Sequence, residues 1–368
     1  MNLHSIKISI LSMPLKQPFH THLETVRTRE GILVEVVDQN GLEGYGEGVA
    51  FSSPWYTEET VASCWDVMTS YLIPIIKRNT ITHPEEVFRL FSPVRRNHMA
   101  KSAIEMALWD LFSKQAKKQL SRLLGGDKKK IPAGVVVAAK NQAEAIEQTA
   151  RFVEEGYQRI KVKISPGNDY SLLSALRREY PELAIMADAN SAYTLADAEK
   201  LKALDELGLL LIEQPLAHDD FLEHAKLQKL ISTPICLDES INSYSDAKMA
   251  LELGSCKVLT IKAGKVGGIG EAIRIHSLCE EKDIPLWCGG MIEFGVSRAH
   301  NIALASLPGF IIPGDISASS RFWEEDIIEP EITVQDGWVS VPEGEGIGFR
   351  LNRRRINEIT LKAETFVF

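Results

Sequence analysis

Five charged residues recur along the middle of the chain at almost one interval: Lys163, Asp188, Glu213, Asp238 and Lys262 stand 25, 25, 25 and 24 positions apart. Each ends or closely follows a short apolar run, in "RIKVKI", "LAIMADAN", "LLLIEQP", "PICLDES" and "KVLTIKAG". Such an interval is the length of one strand-plus-helix unit, so the same place is being marked on successive parallel strands. Three carboxylates brought together repel one another unless a cation lies among them. The donors are all oxygens, with no histidine or cysteine in the series, which selects a hard ion, Mg²⁺, with Mn²⁺ as an alternative. A lysine beside such a site is useful as a base once burial and a neighbouring cation lower its pKa from about 10.4 toward neutrality. Lys161, on the same strand face as Lys163 and roughly 6.6 Å away, is such a cation. A hard cation that takes a substrate carboxylate, with a lysine on either flank, suits removal of the proton α to that carboxylate.

The elements that must carry these residues begin at Ile131. From there "IPAGVVVAA", the five runs above, "PLWCGG" and "FIIPGDI" alternate with amphipathic helical stretches. Eight parallel runs predict a closed (β/α)8-type α/β barrel rather than a doubly wound sheet, with the five charged residues converging at its C-terminal mouth. Residues 1–125 mix strand-like "SIKISILSM" and "GILVEVVD" with the helical "KSAIEMALWDLFSKQAKK" and predict a separate α+β capping domain. We therefore expect a capping domain at 1–125, a barrel at 126–329 and a C-terminal segment at 330–368 that packs back on the cap. Phe19 to Arg29 and "SSPWYTEET" read as loops able to cover the mouth. "GYGEG" reads as a turn, and "GKVGGIGEA" as a tight strand-to-helix turn, since it lacks the G-K-[ST] of a phosphate loop.

Composition narrows the function classes. The 368 residues carry a formal net charge of −9, which argues against nucleic acid or an anionic membrane as partner. Five scattered cysteines without C-x-x-C spacing argue against a disulfide framework, and no apolar run approaches the length of a membrane span. These features predict a soluble, unprocessed cytoplasmic protein acting on a small carboxylate, with a homo-oligomer open. The nine histidines read as structural or surface residues. A Schiff-base lysine, as in aldolases, is a competing chemistry that needs no triple-carboxylate site. A binding protein without catalysis is a third class, and it would have no use for both flanking lysines.

"PFHTHLETVRTREGILVEV", "GYGEGVA", "RIKVKI", "MADANSAY", "IEQPL", "CLDES", "IKAGKVGG" and "GGMIEFGVSRAHNIALASLPGFIIPGDISAS" together resemble the o-succinylbenzoate synthase / N-succinylamino acid racemase family, a muconate-lactonizing-type branch of the enolase superfamily. The resemblance implies a (β/α)7β barrel variant, Mg²⁺ on Asp188, Glu213 and Asp238, and Lys163 and Lys262 as the acid/base pair. In the synthase reaction it implies that Lys163 removes the α proton of 2-succinyl-6-hydroxy-2,4-cyclohexadiene-1-carboxylate and then helps the hydroxyl leave as water, in menaquinone biosynthesis. In a racemase both lysines act, one on each face. Phe19, Met291 and Ile292 are implied as pocket residues. Lys161 reads as a carboxylate-neutralising or substrate-contacting cation, Asn190 as a polar group near substrate, and Glu239 as one that orients the ligands. Lys265 stands where good racemases of the family carry arginine, and lysine lacks arginine's planar fork. The expectation is therefore dehydration, with racemisation weak or absent.

Overall fold

The computed structural model describes residues 1–21 and 23–368, so His22 lies outside the described residues. In the N-terminal region, β1 (Leu3–His20) pairs antiparallel with β2 (Thr25–Asp38), and β3 (Glu43–Gly48) adds to β2. The alternation in "SIKISILSM" buries Ile6 and Ile8, then Leu11 and Met13 after a register shift at Ile10/Leu11. An irregularity of that kind moves the inward set by one residue. The stretch from Phe19 to Arg29 is expected to be a loop; His22 lies outside the described residues, and the described residues on either side of it instead end this hairpin, with Phe19 opposite Val26 and His20 opposite Thr25. "GYGEG" is also strand rather than turn. Its glycines serve close packing: a Cβ on Gly46 would lie 2.0 Å from the Ala103 carbonyl oxygen, on the helix His98–Gln115.

Then come the short β4 (Lys130–Pro132) and the parallel strands β5 (Gly134–Val137), β6 (Arg159–Lys163), β7 (Ala184–Asp188), β8 (Leu211–Glu213), β9 (Ile235–Leu237), β10 (Val258–Ile261) and β11 (Leu286–Cys288). The seven strands β5 to β11 are hydrogen-bonded in chain order. The eighth expected run is not a regular strand. Residues 310–315 close the ring by single parallel bridges, Leu286 to Phe310 and Ala133 to Gly314, and Gly134 N–H donates to the Gly314 carbonyl at 2.7 Å. Downstream, β12 (Ile328–Glu329) pairs with β14 (Arg350–Leu351), β13 (Trp338–Ser340) with β4, and β15 (Thr360–Val367) with the free edge of β1. Inside the barrel, Met186, Leu211, Cys236, Val258 and Trp287 form an apolar floor, one inward-facing position below Asp188, Glu213 and Asp238.

The helices are started in two ways. Six carry their own cap: Thr60, Asn141, Asp169, Asp220, Ser243 and Asn352 each accept a hydrogen bond from the first-turn backbone of the helix that follows. The helices Ile269–Glu281 and Gly295–Ala305 have no such side chain. Buried carboxylates from the N-terminal region cap them instead. Glu105 accepts from Ile269 N and Gly270 N, both at 2.8 Å, and Glu47 accepts from Phe294 N at 2.7 Å and Ser297 N at 2.8 Å. "GKVGGIGEA" is thus an anion-binding turn whose anion is internal. Gly268, at φ +121°, leaves room for Glu105, whose Oε2 would lie 2.2 Å from an added Cβ. All five cysteines are buried and unpaired, and among the described residues no helix is long and apolar enough to cross a membrane.

Candidate active site

Strand alternation turns Arg159, Lys161 and Lys163 of β6 into the barrel and Ile160 and Val162 toward the helices. The inward cations are matched in layers. Arg159 pairs with Asp315 at 2.7 Å near the floor. Lys161, 4% exposed, lies 2.6 Å from Asp315, 2.9 Å from Glu213 and 3.1 Å from Asp188. Lys163, at the rim, donates to Asp188 Oδ2 and Asn190 Oδ1, both at 2.6 Å. Across the mouth, Lys262 lies 2.7 Å from Asp238 Oδ2, and the Tyr56 hydroxyl accepts from Lys262 at 2.7 Å while donating to Asp238 at 2.8 Å.

Asp188 and Glu213 are register partners on β7 and β8, and Asp238 follows β9. All three are buried. Burial pushes Asp188 and Asp238 up, but the ammoniums of Lys163 and Lys161 on the first, and of Lys262 and Lys265 on the second, hold both carboxyls below the usual range. Glu213 goes the other way: burial, then repulsion from Asp188, places it well above the ordinary carboxylate value. The Lys161 ammonium touches it without hydrogen-bond alignment, so both Glu213 oxygens, and Asp238 Oδ1, are buried without a hydrogen-bond partner. Among the described residues, no three His, Cys, Asp or Glu side chains meet closely enough to chelate one ion as they stand. Orphaned, buried, all-oxygen acceptors on adjacent strands nevertheless fit a hard divalent cation.

The lowered lysine pKa expected at the site is not what Lys262 shows. Desolvation lowers it, but Asp238, with Glu213 and Glu239, outweighs both burial and Lys161, and the net shift is upward. The cause is tertiary: Lys262 faces carboxylates that spacing alone does not put in contact with it.

Phe19, Lys161, Lys163, Asn190, Met291 and Ile292 line one cavity with Asp188, Asp238 and Lys262. Glu239 does not line it. It accepts from Asn190 Nδ2 at 2.7 Å and, through burial and then Asp238, is pushed up to about 7. Lys265 is also behind the cavity wall, donating to the carbonyls of Asp238 and Ile241. Asn190, Gln214 and Ile292 adopt positive φ without being glycine, at 42°, 40° and 55°. Strained backbone of this kind persists where surrounding contacts over-determine it.

Residues 5–125 match the mandelate racemase / muconate lactonizing enzyme N-terminal domain, and residues 144–355 match the enolase C-terminal domain-like family. The chain belongs to this family, within the enolase superfamily. It is 52% identical to an o-succinylbenzoate synthase of Geobacillus stearothermophilus over 99% of this chain and 98% of that protein. An N-succinylamino acid racemase of Thermus thermophilus is 46% identical over 98% of each chain. The crystal structure of an enolase superfamily member from Listeria innocua superposes with a TM-score of 0.97 at 40% identity, covering 100% of this chain and 99% of that one.

Several groups at this enolase-superfamily mouth lie outside the set that the sequence pattern marks. Asp315 is the acidic residue near the end of the eighth run, so the register rule that finds the others reaches it too. Tyr56 lies in "SSPWYTEET", and Gln214 directly follows Glu213 and accepts from Asp238 N at 3.0 Å. Glu293, Arg298 and Arg321 carry no sequence signal. Gly289 is a further requirement: its Cβ would lie 2.4 Å from Lys262 Cε. G289A is expected to displace the Lys262 head and lower kcat about tenfold, with a fall of a few degrees in melting temperature, because the same Cβ would lie 2.8 Å from the buried Thr260 Oγ1. An unchanged kcat would show that Lys262 position is not critical.

Proposed function

We propose that this chain is an Mg²⁺-dependent o-succinylbenzoate synthase, acting in menaquinone biosynthesis. The observation that carries the reading is the placement of Lys163 and Lys262 on β6 and just after β10, facing each other across a cavity bounded by Asp188 and Asp238. The full-length identity to a synthase supports the substrate. Asp188, Glu213 and Asp238 would hold Mg²⁺, or Mn²⁺, which when bound supplies positive charge to the substrate carboxylate.

The residues of the chain account for the proton movements. Lys163 is the more exposed lysine and stands at the rim, where its amine takes the α proton of 2-succinyl-6-hydroxy-2,4-cyclohexadiene-1-carboxylate. The resulting ammonium lies beside the departing hydroxyl and gives it the proton, so one side chain serves both halves of the elimination. Lys262, held charged between Asp238 and Tyr56, faces the negative charge that builds on the substrate. Phe19, Phe51 and Trp55 cover the mouth against water.

N-succinylamino acid racemisation is the second reading, supported by a lysine on each flank. Lys265 favours the first, because it holds loop carbonyls and presents no planar fork to Lys262. The deciding experiment follows mass during incubation with the cyclohexadiene substrate and Mg²⁺, beside N-succinylamino acids in D₂O. Loss of water from the first without deuterium uptake by the second is the expected result. Deuterium uptake at a comparable rate would overturn the preference for dehydration.

A further inference from the structure

Among the described residues the cavity is lined by five cations. Three, Lys161, Lys163 and Lys262, are ion-paired to carboxylates, and Arg298, 1% exposed, is held by two backbone carbonyls through two of its nitrogens, that of Glu293 at 2.8 Å. Arg321 differs. It ends the short turn Ser319–Arg321, and its Nη2 donates to the Val136 carbonyl at 3.1 Å. The guanidinium stands 4.8 Å from the Phe152 ring and 5.8 Å from the Phe322 ring. Among the described residues that guanidinium makes no other hydrogen bond and no ion pair. Glu155, the carboxylate that bears on it, is exposed and lines an outer cavity with Lys16 and Arg151, a cavity that Arg321 also borders from its other side. Burial and the nearby Arg151 both disfavour the charge, burial most. A half-buried guanidinium that borders a substrate cavity with no carboxylate at hydrogen-bond distance is costly unless a ligand supplies one.

The substrate of the proposed function, on which this inference rests, has two carboxylates. One adjoins the reacting carbon and belongs with the groups on β6 to β10. The other ends the succinyl chain and needs a separate counter-charge. Val136 pairs with Lys161 on the adjacent strand, so Arg321 is anchored one strand away from the Lys163 strand, opposite the Lys262 side. We propose that Arg321 receives the distal carboxylate of the succinyl chain and makes this enzyme selective for succinylated acids. Its planar fork suits bidentate pairing, and the Phe152 and Phe322 rings hold it in place. Arg321 is thus a specificity residue, and proton transfer does not pass through it.

The test is calorimetric binding of the product o-succinylbenzoate and of its analogue with the distal carboxylate converted to a carboxamide, in Mg²⁺. Wild-type protein should prefer the dicarboxylate by roughly 30-fold. R321M should bind the two within about threefold, R321K should fall between, and R151M, in the outer cavity, should keep the wild-type ratio. In turnover, R321M should raise KM by a similar factor and leave kcat within about threefold. An undiminished preference in R321M, or an equal loss in R151M, would overturn the assignment. Wild-type protein that fails to turn over the cyclohexadiene substrate would overturn the functional reading instead, so the two failures are distinguishable.

Discussion

K163R is expected to lower synthase turnover by about 10³-fold or more, whereas K262R should cost only about tenfold. Both substitutions keep the positive charge, but arginine does not surrender its proton and cannot serve as a base. Lys163 is assigned proton removal and delivery, so charge alone does not replace it. Lys262 is assigned charge alone, already enforced by Asp238 at 2.7 Å and by the Tyr56 hydroxyl. Its tenfold cost reflects crowding, since Gly289 and Tyr56 leave little room for a longer head. Fold loss is not expected in K163R, because Asp188 keeps Lys161 at 3.1 Å. Single-turnover rates with unchanged product affinity check the assignment. Equal losses in the two variants, or a larger loss in K262R, would reverse the roles.

Chelation is expected to abolish turnover, and Mg²⁺ to restore it, with thermal unfolding as a readout independent of activity. A ligand present at a hundredfold its Kd stabilises by about 2.7 kcal/mol, which for a chain of this size raises Tm by roughly 4 °C. E213Q should lose that response and, in chelator, melt above the wild type. Glu213 is fully buried with both oxygens unsatisfied, and burial together with Asp188 makes its charge unfavourable. Neutralising it removes repulsion within the carboxylate cluster when no cation is present, and removes a ligand when one is. A Mg²⁺-dependent rise in Tm that survives in E213Q would exclude Glu213 as a ligand. A wild type whose Tm and turnover ignore chelator would exclude the cation altogether.

Much of the site is legible in the order of residues. Parallel strands joined by helices repeat at a near-constant chain length, so Lys163, Asp188, Glu213, Asp238 and Lys262 advertise a shared register in one dimension. Asp315 obeys the same rule but is harder to see, because the eighth run closes the ring by isolated bridges rather than as a strand. The hairpin from Phe19 to Arg29 and the strand "GYGEG" differ from their sequence expectation for another reason. The hairpin pairing is local, Phe19 with Val26, but extends a long two-stranded ribbon, whereas the glycines of "GYGEG" serve close packing on Ala103 and Ala107, far along the chain.

The sequence by itself determined the barrel, the lysine and carboxylate series and the family, because local periodicity and βα length are properties of neighbouring residues. Only the tertiary structure decided which charges touch. The direction of the Lys262 shift, the capping of two barrel helices by Glu47 and Glu105, and the anchoring of the Arg321 guanidinium on the Val136 carbonyl all depend on groups distant in sequence. Electrostatic energies follow distance and burial, and neither is written in the order of residues.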